Sequence, residues 1–479
     1  MARFFKYKSP SDVTDDAATL GYDIPATEDL APLFQPVAVG DRNVGNRFAI
    51  HPMEGCDGTL DGHPDELTYR RYLRFGAGGA KLIWGEATAI ADEGRMNSRQ
   101  LLINDANAAG LEKMLADCRA AHCESVGDDA DLLLGLQLTH SGRFSFRKPK
   151  IACHDPILDP ITLDKSTGKF IDASYPVLSD DDLKHIEDQY LAAARLAAKV
   201  GCDFIDLKQC HRYLLSELLG AKHRPGEYGG SFENRTRLIR NITQRIAAEA
   251  PELILATRFN AYDGIPYRSR AEDKIGEPYP HELPLQVAFG TNPENHREEV
   301  LDEPVLLAEK MKQWGMQLLS VSMGNPYANP HIVRPAEFPP VDGYHSPEHP
   351  LDGIARHFRI ARRIQQAVGE VPVVGSGYSW LQDFAPQVGA ANVANGSIAF
   401  VGFGRATLSH PDFVKTIEET GSLNRKKVCR TFSYCTNLMR AKHNELGQYA
   451  TGCPPFDKEV YGPLWDEVKE SAAPRDNDV

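Results

Sequence analysis

The sequence lacks long apolar runs and any excess of positive charge. No stretch approaches the ~18 uninterrupted apolar residues that a membrane-spanning helix needs. The first residues, MARFFKYKSPSDVTDD, contain no apolar segment typical of a secretion signal. Lys and Arg total 53 against 66 Asp and Glu, a formal net charge of −13, and the basic residues form no long runs. We therefore expect neither nucleic acid nor a membrane as a partner.

Cysteine is present but shows no disulfide pattern. The nine cysteines are scattered and odd in number, which is typical of reduced thiols rather than of a disulfide framework. Together with the missing secretion signal, this predicts a cytoplasmic protein. Hydrophobic residues make up 42% of the chain and charged residues 25%, as in ordinary globular proteins, and 479 residues can bury a large core.

Short apolar runs alternate with helical patterns along most of the chain. The runs are almost continuously apolar, as parallel strands buried on both faces are. Eight of them alternating with helices favour the closed (β/α)8 or TIM barrel of the α/β class over an open sheet. The predicted strands are Asn46–Met53, Lys81–Ala87, Asp131–Thr139, Asp203–Lys208, Leu253–Phe259, Gln317–Ser322, Val371–Gly375 and Ile398–Val401. The predicted helices include Asn107–His122, Asp180–Val200, Phe232–Ala250, Pro304–Gln313 and Leu351–Val368.

This pattern also predicts how the chain is divided. Residues 1–45 form a leader, 46–420 the barrel and 421–479 a C-terminal extension. We interpret the extension as a helical cap or an oligomer contact, with surface decoration an equal alternative. Two long connections, His140–Ser179 and Ala261–Asp302, follow predicted strands and therefore belong to the face where barrel active sites form. Connections of this length are usually lids or binding loops.

A polar cluster stands at the carboxyl end of the fourth predicted strand. Lys208, His211 and Tyr213 follow the run GCDFIDL, and polar residues at that end of a barrel strand are typical of catalysis. The pattern Lys–x–x–His–x–Tyr is a weak signal by itself. A set of loop polar groups with satisfied hydrogen bonds explains it equally well.

The segments around this cluster resemble the Old Yellow Enzyme family. YLLSELL followed by EYGGSFENR is similar to the family's hallmark loop, in which a His–x–x–His/Asn–x–Tyr motif leads to EYGGS-x-ENR. Further segments resemble the family in the same order between Asn46 and Phe413: NRFAIHPM, GGAKLIWGEATAIADEGR, LGLQLTHSGR, ATRF and FVGFGRATLSHPDF. The resemblance implies an oxidoreductase that binds FMN noncovalently on the open face of the barrel, with NAD(P)H as co-substrate.

The resemblance also implies which residues contact the flavin ring. Arg258 would lie beside the N1–C2=O edge, where a fixed cation stabilises anionic reduced flavin; an ion-paired or surface arginine is the alternative. Gln137 would hydrogen-bond the pyrimidine edge, since one carboxamide supplies a donor and an acceptor, unless backbone groups already satisfy it. Met53 and Ala87 would contact the ring, although both residue types are also common in cores.

Two glycine-rich turns follow the last two predicted strands. Gly375 and Gly377 belong to the first, and Gly402, Gly404 and Arg405 to the second. Barrels commonly bind phosphate at these loops. Glycines let backbone N–H groups approach, a following helix amino terminus favours anions, and an arginine adds a bidentate cation. We therefore expect the FMN phosphate at these turns.

The substrate site is implied by the same resemblance. Lys208 and His211 take the positions that hold the activating carbonyl of the substrate, and Tyr213 takes that of the proton donor to its α-carbon. The expected reaction passes hydride from NAD(P)H through the flavin to a small electrophilic alkene of the α,β-unsaturated carbonyl type.

Two residues depart from the family pattern. Lys208 stands where the family has His; an ammonium still donates and strengthens the attraction for a carboxylate, but it could instead pair with an acid such as Glu54. Glu54 stands where Thr or Cys is usual, near flavin C4=O. An ionised Glu54 would oppose flavin reduction, whereas a protonated one could donate to O4.

Alternative functions follow from these departures. Lys208 is compatible with a flavin-dependent amine demethylase or dehydrogenase of the same family, and with a non-catalytic flavin-fold binding protein.

One branch of the family adds an iron–sulfur cluster and a dinucleotide domain. Cys429, Cys435 and Cys453 are too widely spaced and too few for the four close thiolates of a cluster, and no G-x-G-x-x-G follows a late strand. We therefore predict no metal, and a homo-oligomer remains compatible with the extension.

Overall fold

Eight parallel strands close into a barrel in the computed structural model, which describes residues 4–336, 343–443 and 445–472. Each strand pairs with its neighbours in chain order, and the eighth pairs with the first, placing Val401 opposite Phe48. The predicted (β/α)8 barrel is therefore confirmed. The strands are β1 Phe48–Ile50, β2 Leu82–Ala89, β3 Leu133–Thr139, β4 Phe204–Leu207, β5 Ile254–Tyr262, β6 Leu318–Met323, β7 Val373–Gly375 and β8 Phe400–Phe403.

Helices follow the strands and cover the outside of the barrel. The predicted helix Phe232–Ala250 is wrong as a single element, because a non-helical Thr236 (φ −100°, ψ 1°) separates two helices. The α-helices are α1 Pro10–Thr19, α2 Glu66–Ala77, α3 Ala108–Val126, α4 Asp180–Lys199, α5 Leu214–Leu219, α6 Phe232–Arg235, α7 Arg237–Glu249, α8 Asp302–Trp314, α9 Pro330–Val333, α10 Pro350–Val368, α11 Ala385–Ala394, α12 Ala406–Ser409, α13 Phe413–Thr420, α14 Tyr434–Arg440 and α15 Lys458–Ala472.

The leader closes the amino-terminal end of the barrel. Its antiparallel hairpin, Val37–Val39 with Arg42–Val44, packs against the starts of the barrel strands. Val39 and Val44 are fully buried in one cluster with residues such as Leu82. Because the hairpin occupies this end, the carboxyl ends of the strands form the face on which a site can open.

The two long connections contain short strands of their own. The first holds the hairpin Leu163–Asp164 with Lys169–Phe170, and the second holds Tyr267–Ser269 with Gly276–Pro278. In the C-terminal extension, Leu438, Tyr449, Ala450 and Tyr461 form a small separate core. The division at residues 45 and 420 stays a prediction, and residues 1–3 and 473–479 of its outer parts lie outside the described residues.

Candidate active site

A cleft opens at the carboxyl ends of the barrel strands. This is the face on which barrel active sites form. Most of the predicted site residues line it, namely Met53, Glu54, Ala87, Gln137, Lys208, His211, Arg258, Gly377, Gly404 and Arg405. Two predicted residues do not: Gly375 lies in β7, directly before lining residue Ser376, and Tyr213 lies behind Lys208. Residues from seven strand ends thus meet in one cavity.

Arg258 is a buried cation that lines this cleft. It lies in β5 and is 9% exposed. Its backbone N–H donates to Asp206 over 2.7 Å, but within the described part of the chain no carboxylate lies within 4.0 Å of its guanidinium, and its Nε has no hydrogen-bond partner. A buried cation without a counter-ion is costly. The guanidinium is therefore suited to a ligand that carries negative charge.

Asp206 connects Arg258 with Gln137. The Gln137 amide nitrogen donates to the Asp206 carboxylate over 2.5 Å, and the Trp84 indole N–H donates to it over 2.8 Å. Burial raises the pKa of the Asp206 carboxyl to about 6. Because the amide donor of Gln137 is engaged, its carboxamide oxygen is the group that can accept a hydrogen bond from a ligand.

The two glycine turns border the cleft beside Met53. Gly377 has φ +96°, a left-handed conformation that favours glycine. A Cβ on Gly402 would collide with the His51 ring, and one on Gly404 would lie 3.1 Å from the Met53 sulfur. Gly402 and Gly404 thus pack closely against His51 and Met53, and they also line the cleft, where a ligand can approach their backbone. These features, together with Arg258, fit the ring and phosphate of FMN.

Arg405 follows the second turn and is partly engaged by the protein. Its guanidinium donates to the Ser433 hydroxyl over 3.0 Å, and α12 begins at the next residue. This contact attaches the C-terminal extension to the edge of the cleft. Arg405 lines the cleft, and a guanidinium can bind a phosphate through paired N–H donors.

Lys208, His211 and Tyr213 form a layered group. The Lys208 ammonium lies 3.8 Å from the centre of the Tyr213 ring, a cation–π contact. The His211 Nε2 is 3.5 Å from the Ser322 hydroxyl. Burial lowers the pKa of His211 well below its usual range, so the imidazole is neutral. Tyr213 is 1% exposed, and its hydroxyl lies 3.1 Å from that of Tyr327, a residue that lines the cleft.

Glu54 does not form an ion pair with Lys208. Its carboxylate accepts from the Asn97 amide instead, and among the described residues no carboxylate lies within 4.0 Å of the Lys208 ammonium. Burial raises the pKa of Glu54 to about 7. The group is thus poised between the protonated and ionised forms near neutral pH.

This raised pKa predicts a pH-dependent stability. Below about pH 4 Glu54 is protonated in both the folded and the unfolded protein. As the pH rises towards 7, Glu54 of the unfolded chain loses its proton first, because its pKa is lower there. Ionisation of Glu54 therefore favours unfolding. We expect the wild type to lose up to about 3 kcal/mol of stability over this range from this group, and Glu54→Gln to lose less. Urea unfolding of both proteins at several pH values measures this difference. Parallel pH profiles of the two proteins would contradict the raised pKa.

Sequence reasoning missed several residues that line the cleft. His51 contacts the Ser376 hydroxyl over 3.0 Å. Ser376 directly follows a predicted strand, a position that could have identified it, whereas His51 lay inside the predicted first strand and directly follows the shorter observed β1. Tyr327 belongs to the connection after β6, where no motif marked it. The extension also contributes lining residues, namely Cys435, Thr436, Met439 and Thr451.

The late cysteines are free thiols. Cys429, Cys435 and Cys453 are partly buried and unbridged. Over the ranges 4–336, 343–443 and 445–472, no group of three or more His, Cys, Asp or Glu side chains is arranged to hold a metal ion.

Comparison with known protein families identifies the family of this chain. Residues 32–278 match the model of the NADH:flavin oxidoreductase / NADH oxidase family. The chain belongs to this family. The match includes Glu54, Gln137, Lys208 and Arg258. The predictions of an Old Yellow Enzyme-type barrel, of FMN as cofactor and of NAD(P)H as reductant are confirmed at the level of the family.

Individual relatives agree with the family match. An NADPH dehydrogenase from Geobacillus sp. is 28% identical over 320 residues, 66% of this chain and 77% of the relative. The Old Yellow Enzyme homologue from Zymomonas mobilis is 22% identical, with a TM-score of 0.57 and coverage of 84% and 96%. A 2-naphthoyl-CoA reductase superposes with a TM-score of 0.65 at 16% identity. That superposition covers 91% of this chain and 58% of the larger reductase chain. In the described part of the chain, no helix combines the length and apolar character needed to cross a bilayer.

Proposed function

We propose that this family member reduces electrophilic alkenes, with Lys208 and His211 holding the electron-withdrawing group of the acceptor. The observation that carries the proposal is the convergence of Lys208, His211 and Arg258 on one cleft, with no carboxylate of the described residues within 4.0 Å of either cation. Such a site is suited to stabilising negative charge that develops on a ligand.

The cofactor would be held by groups that line the cleft. Arg258 and the Gln137 carboxamide oxygen would bind the flavin ring, and the two glycine turns with Arg405 would bind its phosphate. When bound, FMN supplies hydride obtained from NAD(P)H. The chain itself positions the ring and excludes water, because Arg258 and Gln137 are buried.

The acceptor is polarised by two different donors. His211 is neutral, because burial and the neighbouring Lys208 and Arg258 charges lower its pKa, and a neutral imidazole donates one hydrogen bond. Lys208 adds an ammonium, although burial lowers its pKa as well. Both groups act on the oxygen atoms where charge accumulates when hydride reaches the β-carbon.

The proton for the α-carbon would come from a tyrosine pair. Tyr213 occupies the position of the proton donor in the family, but Tyr327 is the tyrosine that lines the cleft. With the two hydroxyls 3.1 Å apart, a proton that Tyr327 gives to the substrate can be replaced from Tyr213. Burial raises the pKa of Tyr213 well above its usual range, so its hydroxyl retains its proton near neutral pH.

Substitution of either tyrosine should separate the two half-reactions. We expect Tyr213→Phe and Tyr327→Phe to leave flavin reduction by NAD(P)H near the wild-type rate and to slow reoxidation by the alkene about 10²-fold or more. Anaerobic stopped-flow absorbance measures both rates. Tyr69→Phe, which removes a hydroxyl on α2 outside the cleft, is the matched control. Equal loss in both half-reactions would refute the proton-donor role.

Anaerobic bleaching of the flavin tests the reaction direction. Bleaching by NAD(P)H followed by recovery with an electrophilic alkene supports the reductase. Bleaching only by an organic amine would instead support a demethylase or dehydrogenase. The charges of the cleft argue against that donor, because Lys208 and Arg258 repel a protonated amine.

A further inference from the structure

Lys208 is a buried charge whose ammonium has no carboxylate within 4.0 Å in the described part of the chain. Its side chain lines the cleft and is 5% exposed. Within residues 4–336, 343–443 and 445–472, its ammonium contacts the face of the Tyr213 ring, and the Glu54 and Asp206 carboxylates attract it from more than 4.0 Å away. A ring face attracts an ammonium but carries no net charge, so it offsets only part of the cost of burying one.

The other cations of the cleft are assigned either to the cofactor or to a protein group. Arg258 and Arg405 are suited to the flavin ring and to its phosphate, and Arg334 donates to the Thr436 hydroxyl over 2.8 Å. Glu54 is the acid among the lining residues of the cleft, and Asn97 already hydrogen-bonds it. When the cofactor sites are assigned, the Lys208 ammonium is left facing the position of the acceptor.

We propose that the acceptor is itself an anion, an α,β-unsaturated acid whose carboxylate is bound by Lys208 and His211. This inference rests on the proposed function, because it places the acceptor in the same cleft. The site would bind an alkenoate in preference to a neutral enal or enone.

The chemistry explains why a lysine suits this position. A carboxylate already carries a negative charge, so addition of hydride to the β-carbon places a second one on the same oxygens. A neutral hydrogen-bond donor stabilises the doubly charged group poorly, whereas an ammonium in a cavity of low dielectric compensates one full charge. The alkene π bond breaks, the β-carbon gains the hydride derived from NAD(P)H, and the α-carbon gains a proton from the tyrosine pair. The product is the saturated carboxylate.

Ligand binding to the oxidised FMN-loaded protein tests this without turnover. Cinnamate and cinnamamide share a skeleton and differ in charge, and isothermal titration calorimetry measures the affinity for each. We expect the wild type to bind cinnamate about 10- to 100-fold more tightly than cinnamamide. Lys208→Met should remove this preference, and Lys208→Arg should retain most of it. Lys113→Met, an exposed lysine paired with Asp117, is the control and should bind as the wild type does.

Several outcomes would overturn the inference. Equal affinity for acid and amide in the wild type would do so, as would failure of cinnamate to bind. A preference that survives Lys208→Met but disappears in Arg334→Met would assign the anion to Arg334 instead. The proposed function has a different test: if NAD(P)H bleaches the flavin and a neutral enal reoxidises it while no carboxylate preference exists, the reductase stands and the anionic substrate class fails.

Discussion

Replacement of Arg258 by methionine should weaken FMN binding by about 10- to 100-fold and, at the same time, make the FMN-free protein more stable. The first effect follows because the guanidinium would supply a charge-assisted hydrogen bond to the flavin. The second follows because, without the cofactor, Arg258 is a buried cation with no carboxylate within 4.0 Å among the described residues. Removing an uncompensated charge from a buried position favours folding.

Fluorescence titration with FMN and urea unfolding of the FMN-free protein measure the two effects. Arg258→Lys is the matched control, because it keeps the charge and should retain part of the affinity with little gain in stability. A loss of stability in FMN-free Arg258→Met would show that the guanidinium is paired within the protein, contrary to the geometry described above.

Arg71 should show the opposite behaviour, although it is equally buried. It is 4% exposed and pairs with both Asp57 and Glu86. Arg71→Met would leave two buried carboxylates without a counter-ion, and we expect a loss of about 3–5 kcal/mol of stability. Glu86 also accepts from the Gly55 backbone N–H over 2.8 Å. The same substitution should therefore loosen the segment after β1 that carries Met53 and lower the affinity for FMN.

Urea unfolding of the FMN-free variants tests this contrast. Arg195→Met is the control: Arg195 pairs with Glu249 at the surface, where its side chain is 59% exposed. Its loss should cost no more than about 1 kcal/mol. If Arg71→Met were as mild as Arg195→Met, the buried ion-pair cluster would not support the loop at the edge of the cleft.

The barrel strands could be predicted from sequence because each is an apolar run buried on both faces. Two helices could not, for different reasons. The inner face of α2 is built from Thr68, Arg71 and Tyr72 as well as Phe75, so its hydrophobic periodicity is weak. In contrast, α11 (APQVGAANVA) is buried over most of its length, which leaves no polar face to define a helical period.

The site was predictable where chemistry stands at strand ends and not where folding brings distant segments together. Lys208 and His211 follow β4, Arg258 lies near the end of a predicted strand, and the structure places all three in one cleft. Asp206 was hidden inside the apolar run of β4. Tyr327 is 114 residues from Tyr213, and no local pattern predicts their contact. The contact of Lys208 with the Tyr213 ring likewise depends on left-handed backbone conformations at His211 and Arg212, with φ +64° and +59°.

The central claim is that the open face of this barrel holds FMN, with Arg258 at the ring and the two glycine turns at the phosphate. The most direct test is the visible spectrum of the purified protein during titration with FMN, before and after anaerobic addition of NAD(P)H. The account predicts one bound flavin per chain, with a flavin spectrum that NAD(P)H bleaches. A protein that stays colourless after FMN is added and removed by gel filtration would contradict it, and broad absorbance beyond that of flavin would instead indicate an iron–sulfur centre.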